Sequence, residues 1–258
     1  MCGVSVNMTL HPALAGTRTS LRAYAAESAR PLVSLVFITP LLCVYELAGV
    51  VLGPTALRNG ADTWLRGLLE WLGFGQYFLL PILTCGILLA WHHTRRDSWQ
   101  LQGGVLTTML LECMLFAFVL FGLAHLQRAF FTPITVAITG TSATAEMLVT
   151  TSRLIGYCGA GIYEELLFRL IMLPSIAAAF RSLAFNWRSS LCGAIIATSL
   201  IFSAAHYHAF AQGGYAFDWY TFSFRFAAGL FFAGLFVTRG FGIAVGTHAL
   251  YDIFVEII

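Results

Sequence analysis

The sequence predicts an all-α, polytopic transmembrane helix bundle of about seven spans plus an interfacial or re-entrant helix. Three observations carry that expectation. Of the 258 residues 59% are hydrophobic and only 10% charged, and the mean hydropathy is +0.80. Apolar runs recur from residue 32 to the end of the chain, each near the ~20 residues needed to cross the hydrocarbon. They are far longer than barrel strands, and a lipid-facing segment must satisfy its own backbone, so the spans should be helices. The net charge is +2. All the basic residues are Arg and form no block of five or more, which argues against a nucleic-acid partner and leaves the lipid bilayer as the first one.

Residues 1–30 lack the compact apolar stretch and small-residue cleavage site of a signal peptide and carry Arg18, Arg22 and Arg30. They read as a cytoplasmic N-terminal tail, followed by a single transmembrane domain over residues 31–258. The predicted spans are 32–53, 74–91, 104–126, 147–173, 190–209, 219–238 and 241–258. With the N-terminus inside, the cytoplasmic side also receives His92, His93, Arg95, Arg96, Arg181, Arg188 and Arg239. The outer side receives Arg58, Arg66, Arg128 and Arg153, and this balance favours a cytoplasmic N-terminus.

Between the first two spans, Asp62, Arg66 and Glu70 recur at four-residue spacing, with Trp64, Leu65, Leu68 and Leu72 on the other side. That pattern reads as an amphipathic helix at the interface or re-entering the membrane. The Thr-rich stretch 132–144 reads as an outer loop. Six cysteines are scattered without a CxxC and read as small core residues. Gly156-xxx-Ala160, Gly229-xxx-Ala233 and Gly242-xxx-Gly246 provide small residues at the spacing that lets helices approach closely.

The most informative run is Gly161-Ile-Tyr-Glu-Glu-Leu-Leu-Phe-Arg-Leu170. A charged side chain at the centre of a membrane helix costs roughly 2.5–3.5 kcal/mol on insertion scales, so Glu164, Glu165 and Arg169 require partners or a task. On a helix, Glu165 and Arg169 stand i,i+4 with the acid first, the favourable order for an ion pair. Glu164 is turned about 100° away and is left as a separate carboxylate. Two later spans offer partners. One carries Phe202-xxx-His206 and the other His248-xxx-Asp252, whose i,i+4 spacing lets the carboxylate orient the imidazole. His208, two residues beyond His206, reads as interfacial, and Arg225 as a snorkelling side chain.

These ordered motifs, Glu-Glu-xxx-Arg, Phe-xxx-His and His-xxx-Asp, resemble the CPBP or Abi family of intramembrane proteases, which includes the endopeptidase that trims prenylated CAAX proteins. The resemblance covers roughly residues 147–254. It implies an intramembrane endopeptidase of the glutamic type, acting on a protein or peptide substrate with a membrane-associated segment. It further implies that Glu164 is the base that activates a water with His206, that Glu165 and Arg169 form a supporting ion pair, and that Phe202 packs beside His206. His248 would donate to the oxyanion. Relatives often end the third motif in Asn; an ionised Asp252 cannot donate, so here it would orient His248 and favour its charged donor form. The family's substrates include prenylated CAAX termini, bacteriocin leaders and bacterial C-terminal sorting signals. The short loops and all-Arg basic content suggest a bacterial cytoplasmic (inner) membrane.

No cofactor is expected under this reading. Two alternatives remain open at the level of sequence. Glu164, His206 and His248 form a His/His/carboxylate set of the kind that holds catalytic zinc, although no HExxH is present. A non-catalytic immunity or transport protein would use the same acids and histidines to relay charge, with Glu46 and Glu112 lining a path.

Overall fold

The computed structural model describes residues 21–53, 58–131, 143–207 and 216–257. The expected loop at 132–144, most of the N-terminal tail, Cys2 and His208 lie wholly or largely outside them. Residues 21–28 are helical (α1), followed by α2 (Pro31–Leu52), α3 (Gly60–Trp71), α4 (Leu79–Arg95), α5 (Val105–Phe131) and α6 (Ala143–Gly159). The chain then widens into two π-wound stretches, Ala160–Glu164 and Leu166–Met172. It continues as α7 (Leu173–Ser182), α8 (Trp187–Ala204), α9 (Trp219–Arg239) and α10 (Phe241–Ile257). Among the described residues each predicted span overlaps helical structure, with 74–78 and 205–207 lying outside α4 and α8. Four of them, within Pro31–Leu52, Val105–Ala129, Trp187–Ala204 and Trp219–Arg239, are long and apolar enough among the described residues to cross a membrane. The predicted spans at 74–91 and 241–258 correspond to 17-residue helices, and the one at 147–173 runs through the π-wound region.

The helix starts follow from local chemistry. Pro31 occupies the first turn of α2, where its missing N–H costs nothing. Asn59, Asn186 and Asp218 cap α3, α8 and α9, their side-chain oxygens accepting from the backbone N–H groups of Ala61, Ser189 and Thr221. Gly240, with φ of 92°, is the single residue between α9 and α10. A side chain there would be strained, and its Cβ would fall 2.8 Å from the Ala29 Cα.

Among helices surrounded by lipid, close packing and polar contacts, not water exclusion, hold the bundle together. One buried cluster joins Ile38 and Leu42 of α2 to Ile162 and Leu166 of the π-wound stretch and Val245 of α10. Another joins Val33, Met109, Phe232 and Ile243 from α2, α5, α9 and α10. The small residues act at two of the three expected places. A Cβ on Gly246 would meet Phe37 and Cys113, and one on Gly229 would meet Ser199 at 3.0 Å. Gly156 faces open space, so its motif sets no close helix contact. The five described cysteines are free.

Two charged clusters sit at opposite ends of α2. Before its start, Arg239 of α9 holds Glu112 of α5 through two hydrogen bonds of 2.6 and 2.7 Å, joined by Tyr24 and Ser28. In the C-terminal half of α2 and beside it, Arg66 pairs with Glu46 at 2.9 Å and with Asp62 at 2.6 Å, Tyr45 donates to Asp62, and Tyr163 donates to Glu46. Glu46 and Glu112 are therefore each committed to an arginine. The second cluster also orients α3: its polar side docks onto the bundle, with Asp62 fully buried, while Trp64, Leu68, Trp71 and Leu72 face outwards. Leu65, grouped by the sequence with these apolar residues, is buried with Asp62.

Candidate active site

The Glu-Glu-xxx-Arg motif lies on backbone that departs from the α-helix its sequence suggests. The π-wound turns place five residues per hydrogen-bonded step instead of four, a local irregularity frequent at functional sites. Glu165 and Arg169 still meet, Oε2 to Nε at 3.1 Å, both essentially without solvent exposure. Arg169 also donates to the Gly229 carbonyl at 3.3 Å, and its guanidinium lies 4.4 Å from the centre of the Phe202 ring. Gly161 lets this segment press against α10: a Cβ there would sit 2.9 Å from both the Val245 carbonyl oxygen and the Ala249 Cβ. That approach puts Glu165 beside His248.

The structure brings the residues of all three motifs together. The Oε2 atom of Glu164 stands 3.8 Å from His206 Nε2 and 3.9 Å from His248 Nε2. It is buried and has no hydrogen-bond partner in the protein. His206, at the end of α8, donates from Nδ1 to the Phe202 carbonyl at 2.8 Å, so its neutral form presents a lone pair at Nε2 towards Glu164. His248 donates from Nδ1 to Glu165 Oε1 at 2.8 Å, and its ring stacks on Phe232 with centroids 4.4 Å apart. Phe202 packs against both imidazoles, 5.1 Å from His206 and 6.0 Å from His248.

Asp252 faces His248 as its i,i+4 spacing requires, but it does not make the bond that orients the ring. Its Oδ2 lies 3.6 Å from His248 Nε2, beyond hydrogen-bond distance, while Glu165 makes the bond that orients the ring. The reason is that Glu165 reaches across from the neighbouring segment to Nδ1, whereas Asp252, one turn along α10, approaches only the other nitrogen. Glu165 thus joins Arg169 to His248 and is more than half of an ion pair. Arg225, expected to snorkel, lies over the Tyr207 ring at 5.4 Å. The side chains of His206 and Asp252 are 26% and 23% exposed against 10% for Glu164 and 6% for His248, so the site opens beside the first two.

One contact has no counterpart among the motifs. Asn59, the cap of α3, donates from Nδ2 to Glu164 Oε1 at 2.7 Å. A helix cap was readable at this position, from Asn before Gly60 and Ala61, but nothing in the chain pattern links it to a residue in a distant helix.

The spacing around Glu164 also bears on zinc. Tetrahedral ligands at ~2.0 Å from the metal lie about 3.3 Å from one another, closer than Glu164 stands to either imidazole. Among the described residues, no group of three or more His, Cys, Asp or Glu side chains is placed to hold a metal ion. Glu164, His206 and His248 as arranged are spread more widely than the ligands of a tetrahedral zinc.

Comparison with known proteins converges on the same part of the chain. Residues 146–254, which include Glu164, His206, His248 and Asp252, match the family model described as type II CAAX prenyl endopeptidase Rce1-like. Neither a curated protein nor a solved structure matches the chain. Three ordered motifs thus converge inside an apolar helix bundle of an integral membrane protein, within residues 146–254, the segment that is similar to the Rce1-like CPBP family.

Proposed function

We propose that this protein is an intramembrane endopeptidase of the glutamic type, with Glu164 as the general base. The observation that carries the proposal is the buried Glu164 Oε2, unpartnered by protein and facing two imidazole nitrogens at 3.8 and 3.9 Å. Those separations are too long for direct hydrogen bonds and suit a bridging water. A water there can donate one hydrogen to Glu164 and the other to the Nε2 lone pair of His206. Its oxygen attacks the carbonyl carbon of the scissile amide as Glu164 takes its proton.

The tetrahedral oxyanion then needs donors where charge develops. His248, protonated on both nitrogens, donates Nδ1–H to Glu165 and Nε2–H to the oxyanion. Asp252, 3.6 Å away, adds negative charge beside that imidazolium. Collapse of the intermediate breaks the C–N bond as Glu164 returns its proton to the leaving amine, giving a carboxylic acid and an amine. Arg169 keeps Glu165 fixed and so acts on the ring at one remove. Burial of the site strengthens each of these charge interactions relative to water.

The substrate in this reading is a protein with a membrane-embedded or membrane-proximal segment. The Asn59 end of α2 carries Arg58 and Arg66, which a cytoplasmic N-terminus places outside. The site then opens towards the outer face of a bacterial inner membrane, which suits removal of a C-terminal sorting signal better than trimming of a cytoplasmic CAAX terminus. The core at 147–254 would act within a single seven-span domain over residues 31–258, behind a tail at 1–30. Mass spectrometry of membrane-protein termini in cells expressing the wild type or Glu164→Gln tests the reading. A peptide bond cut only by the wild type is expected; identical sets of termini would contradict it.

A further inference from the structure

We propose that Asn59 is a positioning residue for the proposed general base: it clamps one oxygen of Glu164 so that the other is held towards His206 and His248. The clamp comes from outside the family-matched segment, so that segment does not contain the whole of the site's machinery. The inference rests on the reading of Glu164 as the base and adds to it the part of the fold that aims that base.

The orientation of the Asn59 amide is determined by its other bonds. Its Oδ1 accepts from the Ala61 N–H at 2.8 Å, so Nδ2 is the end that faces Glu164 Oε1, at 2.7 Å. The Asn59 backbone N–H donates to the Tyr45 hydroxyl at 3.1 Å, and that hydroxyl donates to Asp62 at 2.9 Å. Asp62 is in turn held by Arg58 and Arg66, and Arg66 by Glu46. Asn59 therefore sits at the end of a rigid chain of contacts that runs from α2 through α3.

A carboxylate has two equivalent oxygens, and without a fixed donor either could turn towards the histidines. With Oε1 occupied by Asn59, Oε2 alone is presented to them. This also gives a task to α3, whose polar side faces inwards: the charged contacts fix the cap and the cap fixes the base. A residue that only starts a helix needs an acceptor oxygen; the donor directed at Glu164 is surplus to that need.

Two substitutions separate the roles. Asn59→Ser and Asn59→Thr each keep an N-cap oxygen but are too short to reach Glu164. Each purified variant is assayed on a peptide synthesised across the bond that wild-type but not Glu164→Gln cells cut. The expected result is a fall in kcat of roughly 10–100-fold, the loss of one hydrogen bond to a charged group, with KM within about twofold and thermal unfolding unchanged. Isotope-edited infrared difference spectra against Glu164→Gln should show the Glu164 carboxyl band displaced in both variants. Wild-type kcat together with an undisplaced band in Asn59→Ser would overturn the clamp and leave Asn59 a helix cap. If the wild type cuts nothing, the protease reading falls by itself, and the infrared band alone decides whether Asn59 holds Glu164.

Discussion

Arg169 provides the most quantitative handle on how the site is built. Its guanidinium is 1% exposed, pairs with a fully buried Glu165 at 3.1 Å, donates to the Gly229 carbonyl and covers the Phe202 ring. Replacing it with Met leaves the Glu165 carboxylate buried with only His248 to partner it. Breaking such a buried pair from one side costs about 3–5 kcal/mol, because the remaining charge is uncompensated. For a chain of 258 residues that corresponds to a fall in Tm of about 6–10 °C. The double replacement Glu165→Met with Arg169→Met removes both charges at similar volume and should recover most of that stability. It should not recover activity, since His248 then loses the acceptor at Nδ1. Thermal unfolding in mild detergent, followed by tryptophan fluorescence, and cleavage of the peptide substrate measure the two effects separately. An Arg169→Met protein within about 1 kcal/mol of wild type, or a double variant no more stable than the single one, would refute this account of the pair.

Other predictions address the chemistry and the frame. His206→Ala should lower kcat by about 10²–10⁴-fold, the span of general acid–base contributions, without lowering Tm; equal losses in both would make His206 a packing residue. Cleavage should persist in the presence of a zinc chelator, and activity that disappears on chelation and returns with added zinc would transfer the chemistry to a metal. Glu112→Ala leaves Arg239 without its carboxylate at the far end of the bundle, and should cost about 1.5–3 kcal/mol of stability while kcat stays within about twofold. A specific loss of kcat in that variant would connect Glu112 to the reaction.

Much of this architecture could be read from the chain because lipid makes its demands visible. A bilayer core excludes polar side chains that lack a task, so Glu164, Glu165 and Arg169 stand out against their neighbours, and apolar runs mark the four helices long enough to cross it. Pairwise proximity on one helix was also legible, since Glu165 and Arg169 meet as their spacing requires. What escaped depends on contacts between distant segments. The π-wound turns leave no trace in hydrophobic periodicity. The partner of His248 Nδ1 is Glu165 and not its neighbour Asp252, because the nearest residue along a helix is not always the nearest in space. The same holds for Asn59, whose bond to Glu164 spans two helices far apart in sequence. The amphipathic pattern of α3 located the helix but not which side faces the protein, since in lipid the charged side can be the buried one.

The central claim is that Glu164 moves the proton of the attacking water. Its most direct test reconstitutes purified wild type and Glu164→Gln in liposomes with the peptide substrate and follows single-turnover cleavage. The amide keeps nearly the same volume and can still accept from Asn59, but it cannot take a proton at neutral pH. The account predicts that cleavage by Glu164→Gln falls to background while the protein unfolds at the wild-type temperature; cleavage at a rate near that of the wild type would contradict it.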